Sequence, residues 1–257
     1  MTGAKRFVTA CAAAVCTWAV ATSALAADQL VLPTGARVGI VTMMPSDLTH
    51  YHVGRSRLDS FMRTYRLGWP LAEVVDDPIA AMLKGMGFEP VFVEAPDRLR
   101  HQKQSWIVSN PLANKLPNDA EEELARLLIA QNLEGLIIVA PGNNSTPGSA
   151  DGDRLRKLPG YVQGWGFSTS DDPGGVTTPV VFNLTQMLIV GRTPEASELI
   201  FRDWGGLLLS RWPGFQPGTD LKALSEDTIA KFRPVMQETL QAQIERLKPR
   251  IRVADQS

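Results

Sequence analysis

The sequence predicts a three-layer α/β fold: a mixed sheet, parallel in its first part and antiparallel in its late strands, with helices on both faces. Three observations predict it. Short apolar, β-branched runs alternate with helical stripes between residues 37 and 140, the order that builds parallel sheets. Two strand-like segments, 161–168 and 180–190, then follow one another across a turn at 171–175. A long apolar stripe at helical spacing closes the chain.

The elements follow in order. Residues 37–43 (RVGIVTM) form a buried first strand after Pro33 and Gly35. Partial alternation over 48–53 and 61–67, with Gly54 between, predicts a hairpin excursion. Leu71, Val74, Val75, Ile79, Met82, Leu83 and Met86 share one helical face, with Pro70 at the start and Gly87 at the C-terminal cap. Pro78 should kink or split that helix. EPVFVE (89–94) is the second strand, and 95–117 reads as an irregular connection. Asn118 and Glu121 open the next helix in the manner of a capping box, with Leu124, Leu127 and Leu128 on its apolar face. Gly135 ends the turn that follows. LIIVA (136–140) reads as a central strand parallel to the first.

In the late strand 180–190, Phe182, Leu184, Gln186, Leu188 and Val190 share one face, and Asn183, Thr185, Met187 and Ile189 the other. Residues 191–194 read as a turn into a further loop. The final helix carries Ile229, Phe232, Met236, Leu240, Ile244, Leu247 and Ile251 on one stripe. Ser225 is its N-cap, and Pro234 should bend it.

The first 26 residues bear on function. Lys5 and Arg6 precede an uncharged apolar run, and Ala24-Leu25-Ala26 has the A-x-A form of a secretory cleavage signal. We therefore expect a signal peptide over 1–26 and a single α/β domain over 27–257, periplasmic or secreted. A retained anchor is the alternative, but the run is short for a span of about 20 residues and lacks a basic flank after it. Val8-Thr9-Ala10-Cys11 sits at the wrong end of the run for lipidation, and Cys16 follows the bulky Val15. Cys11 and Cys16 are the chain's two cysteines, so the mature chain would carry no disulfide, thiolate metal site or cysteine nucleophile. The whole chain has 26 basic and 27 acidic residues, and losing Lys5 and Arg6 makes it slightly more acidic. With no basic stripe, nucleic acid is not expected as a partner.

Few residues point to chemistry. His50 and His52 would share one face of a strand, a workable spacing for two metal ligands, with Asp47, Asp59, Glu94 or His101 as possible thirds. The competing reading is two polar residues on an exposed strand. Asn143, Asn144, Ser145 and Thr146 follow a central strand, where loops of open α/β sheets line ligand crevices. They match no phosphate-binding motif, and the competing reading is a solvated loop of turn-forming residues. No G-x-S-x-G occurs, and Asp76-Asp77 and Asp171-Asp172 are adjacent pairs whose side chains diverge. Trp204, Arg211, Trp212 and Phe215 are an interface candidate, or else the cover of the core.

VGIVTMMPSDLTHYHVG (38–54) resembles the start of a group of uncharacterised exported bacterial proteins with a similar L-T-H-x-H-V-G segment. Residues 161–167 and 188–193 also resemble that group, although Ile189-Val190 stands where an acidic residue is common. At fold level the order is similar to envelope domains of the curli-secretion lipoprotein and the amino-terminal Tol-propeller type. That resemblance implies binding and assembly without catalysis. The expectation is thus an exported, non-catalytic envelope protein that binds a partner or self-associates, with no cofactor and no membrane span in its mature chain. The alternatives are a metal-dependent or hydrolytic enzyme centred on His50 and His52, or a small-ligand binding protein.

Overall fold

In a computed structural model, the structure describes residues 29–56, 58–97, 99, 116, 118–141, 164–171, 179–193, 196–204, 210–212, 215 and 220–254. The expected signal peptide and the Asn143–Thr146 segment lie outside these residues, as does most of 95–117.

The mixed sheet with helices is present. Strand β1 spans Leu30–Leu32, β2 Arg37–Thr42, β3 Asp47–Val53, β4 Phe61–Arg66, β5 Glu89–Phe92 and β6 Gly135–Pro141. The later strands are β7 Gly164–Ser170, β8 Val180–Arg192, β9 Ser197–Trp204, β10 Ser210–Arg211 and β11 Ile251–Val253. The helices are α1 Asp76–Gly85, α2 Asn118–Ala130, α3 Glu226–Ala230 and α4 Arg233–Leu247.

The main sheet runs β4-β3-β7-β8-β6-β2-β5. β2 lies parallel to both β5 and β6, so the early chain is parallel as its alternation of strand and helix requires. β6 is buried from Gly135 to Ala140, the mark of a strand covered on both faces. β8 is antiparallel to its partners. Its first half carries β7 and β10, and its second half carries β6 and β9, so this one strand is shared by two halves of the sheet.

Strand periodicity sends alternate residues to the two outer layers. Val38, Ile40, Ile137, Val139, Met187 and Ile189 pack with Ile79 and Leu83 of α1 and Met236, Leu240 and Ile244 of α4. Val41, Leu136, Ile138, Leu188 and Val190 pack with Ala120, Leu124 and Leu128 of α2. Burying each such aliphatic side chain is worth about 1.5–3 kcal/mol, so both helix layers are held chiefly by this contact. On the α4 side, Asn183 and Thr185 meet a polar partner. Gln243 Oε1 accepts from Asn183 Nδ2 at 2.9 Å, and Gln243 Nε2 donates to the Thr185 carbonyl at 3.1 Å. Trp165 Nε1 donates to Asn183 and Thr185, which closes a buried network.

The structure corrects several expectations. The stripe from Leu71 to Met86 divides into a 3₁₀ turn, Leu71–Glu73, and α1. Pro78 is the third residue of α1, in the first turn, where its missing N–H costs nothing. Gly87 follows α1 with φ +87°, the left-handed conformation expected of a C-terminal glycine. Gly135 opens β6 rather than ending a turn. The final stripe divides too. Ser225 caps α3 by accepting from the Thr228 N–H, Pro234 sits at the start of α4, and Ile251 belongs to β11 rather than to a helix. β1 and β11 pair in parallel and bring the two ends of the described chain together. β9 occupies part of what reads in the sequence as a loop.

Candidate functional site

β3 has the sequence DLTHYHV. Alternation puts Leu48, His50 and His52 on one face and Thr49, Tyr51 and Val53 on the other. The expected hairpin forms, with β4 antiparallel to β3 and His50 opposite Arg63. On the other side β7 runs parallel, with His50 level with Phe167 and His52 level with Thr169. The two histidines therefore face inward, at 0 % and 4 % exposure, which excludes the reading of polar residues on an exposed strand.

Both rings converge on one hydroxyl. His50 Nε2 lies 2.8 Å from Thr169 Oγ1, and His52 Nδ1 lies 2.9 Å from the same atom. His52 Nε2 is 3.5 Å from Asp171 Oδ1, at the half-exposed end of the series. A threonine hydroxyl has one proton to donate, so at least one ring must donate to it. With neutral rings, the network assigns the His52 proton to Nε2, facing Asp171. Thr169 then donates to His52 Nδ1 and accepts from His50 Nε2. Asp171, His52, Thr169 and His50 thus form a continuous line from solvent into the core.

Aromatic rings enclose the line. His50 stacks on Phe167 with centroids 4.3 Å apart, and His52 stacks on Phe61 at 4.9 Å. Tyr65 lies nearly parallel to His50 at 6.3 Å, and its hydroxyl donates to the Leu221 carbonyl. Burial is the main reason the His50 pKa falls from 6.5 to about 4. Charge on His52 pushes it the same way, and the Leu221 backbone acts in the opposite direction. His50 is therefore neutral at physiological pH.

The possible third metal ligands are not brought to this point. Asp47 is exposed at the start of β3, and Asp59 accepts from Ser56 in the hairpin turn. Glu94 follows β5 at the far end of the sheet, and His101 lies outside the described residues. Among the described residues no three His, Cys, Asp or Glu side chains gather around one position. The hydroxyl of Thr169 takes the place between the two rings.

Trp212 is 2 % exposed, against Phe167, Phe215 and Phe232. Its side chain is core, not open surface, and Phe215 packs partly buried beside it. This corrects the interface expectation for Trp212. Trp204 and Arg211 fall in β9 and β10, and their side chains lie outside what is described. Asp76 begins α1 and accepts from the Thr42 hydroxyl. Burial raises its pKa, with Thr42 opposing and Asp77 adding to the rise.

A second feature was not foreseen. Beyond Tyr65, the end of β4 and the turn after it face α3 across a cleft of about 740 Å³. This is within the roughly 300–1,000 Å³ typical of ligand clefts. Tyr65, Leu67 and Trp69 line one wall, and Leu224, Asp227 and Ile229 the other. The sequence marks it with the string YRLGWP (65–70), aromatic residues around a glycine at a strand end.

Comparison with protein-family models, curated proteins and solved structures finds no match. Among the described residues no helix is long and apolar enough to cross a membrane.

Proposed function

We propose that this is an exported envelope protein that works by binding a partner or a ligand, without catalysis. The observation that supports this best is the open cleft beside Tyr65, walled by aromatic and aliphatic side chains and flanked by Arg66, Glu226 and Asp227. The histidine pair, in contrast, is committed to packing: both rings are stacked, and both bond to Thr169. The test is photocrosslinking in intact cells from a reactive side chain replacing the exposed Ala230 at the cleft. A discrete crosslinked species that a competing ligand or partner removes is expected. No crosslink above the level of an exposed position far from the cleft would refute the reading.

One observation favours a second reading, hydrolysis. Asp171, His52 and Thr169 have the order of an orienting carboxylate, a base and a hydroxyl nucleophile. Fluorophosphonate labelling that maps to Thr169 and disappears in His52→Ala would establish it, and unlabelled wild-type protein would remove it. The metal version predicts stoichiometric metal in purified protein, lost when His50 and His52 are both replaced by alanine.

A further inference from the structure

β4 is the terminal strand of the sheet, with β3 on one side and, among the described residues, no strand on the other. Met62, Arg63 and Thr64 are exposed along it. Such an edge presents free backbone N–H and C=O groups to any extended chain. It leads at Tyr65 and Arg66 directly into the cleft.

The cleft has unmet polar demands of two kinds. Arg66, on the same wall as Trp69, carries an exposed positive charge. Across the cleft, Glu226 and Asp227 are exposed carboxylates. Among the described residues, Arg66, Glu226 and Asp227 form no ion pair with one another or with any other side chain. One wall therefore calls for an anion or acceptor, and the other for a cation or donor. The cationic edge opposes pairing with β4 of a second copy.

We propose that β4 and this cleft bind a short extended peptide with free termini. Its backbone adds to the β4 edge. Its carboxylate meets Arg66, and its amino group meets Glu226 and Asp227. A neutral saccharide would use the aromatic wall but not the separated charges or the strand edge. The proposal rests on the binding reading above and gives it a ligand class.

The test is calorimetric titration with three probes: an alanine–phenylalanine tripeptide with free termini, the same tripeptide acetylated and amidated, and maltotriose. The free peptide should bind, and blocking its ends should weaken binding by about tenfold or more. Arg66→Gln and Asp227→Asn should each weaken it by about tenfold, with the melting temperature unchanged. Equal binding of the blocked peptide, or binding of maltotriose alone, overturns the ligand class and leaves the binding reading intact. So does the absence of any titration signal alongside a specific crosslink from position 230. No titration signal and no such crosslink overturns both.

Discussion

Acidification should destabilise this protein through His50. The ring is fully buried against Phe61, Tyr65 and Phe167, and its pKa is about 4 in the folded chain against 6.5 when exposed. Above pH 6.5 the ring is neutral whether the chain is folded or not, and stability is unaffected. Below 6.5 the unfolded chain takes up a proton that the folded chain refuses. Stability then falls with decreasing pH until about pH 4, where the folded protein accepts the proton too. At about 1.4 kcal/mol per pH unit the loss accumulates to roughly 3 kcal/mol. For a chain of this size that lowers the melting temperature by roughly 6–12 °C. Other groups titrate over the same range, so the measurement is a comparison. Urea unfolding from pH 7 to pH 4 is run on the wild type and on His50→Gln, which keeps a hydrogen-bonding group near Thr169 but does not titrate. The stability difference between the two should shrink or reverse by roughly 3 kcal/mol across this range. Curves that run parallel would show that His50 is protonated as readily in the fold as in water, and the account of its burial would be wrong.

Three further outcomes are expected. Thr169→Val removes the one hydroxyl shared by two buried rings and leaves both nitrogens unpaired. It should cost about 2–5 kcal/mol in denaturant unfolding, and Thr169→Ser much less. Gly166→Ala should prevent folding or cost several kcal/mol, because a Cβ there runs into the Thr49 carbonyl and the Phe182 ring. Gly68→Ala, with open space around it, should be near neutral by thermal melting. Gln243→Leu leaves Asn183 Nδ2 and the Thr185 carbonyl without this buried partner and should cost about 2–4 kcal/mol of unfolding free energy.

Much of the layer order was legible because local pattern and tertiary role agree. LIIVA has no polar residue to expose, and it becomes a strand covered on both faces. The two faces of β8 separate as the period of two requires, Leu188 and Val190 toward α2 and Met187 and Ile189 toward α4. What escaped had no such agreement. β1 and β11 are three residues each and form only by pairing across nearly the whole chain, a contact no local window contains. β9, SELIFRDW, puts three apolar residues in a row and then buries Arg202 and Asp203, so it shows no clean alternation. Its pairing with β8 also shifts register between Ile189 and Val190, which breaks the alternation again. Asp203 is held by Arg246 of α4 at 2.9 Å, a partner that sequence alone does not supply.

The histidine pair shows the same division at the level of chemistry. A His-x-His strand puts two rings on one face, and this follows from backbone geometry alone. What the two rings then do depends on the residue that the neighbouring strand sets between them. Here the parallel register of β3 with β7 delivers Thr169. A carboxylate at that position would complete a group of three metal-competent side chains. A hydroxyl instead ties the two rings together and lets aromatic side chains close over them. The cleft is the opposite case. Its charged groups Arg66, Glu226 and Asp227 are exposed and form no ion pair with another side chain among the described residues. The histidines are buried under Phe61, Tyr65 and Phe167, whereas the cleft lies open beside a terminal strand and is accessible to another molecule. That difference is why we assign binding to the cleft rather than to the histidines.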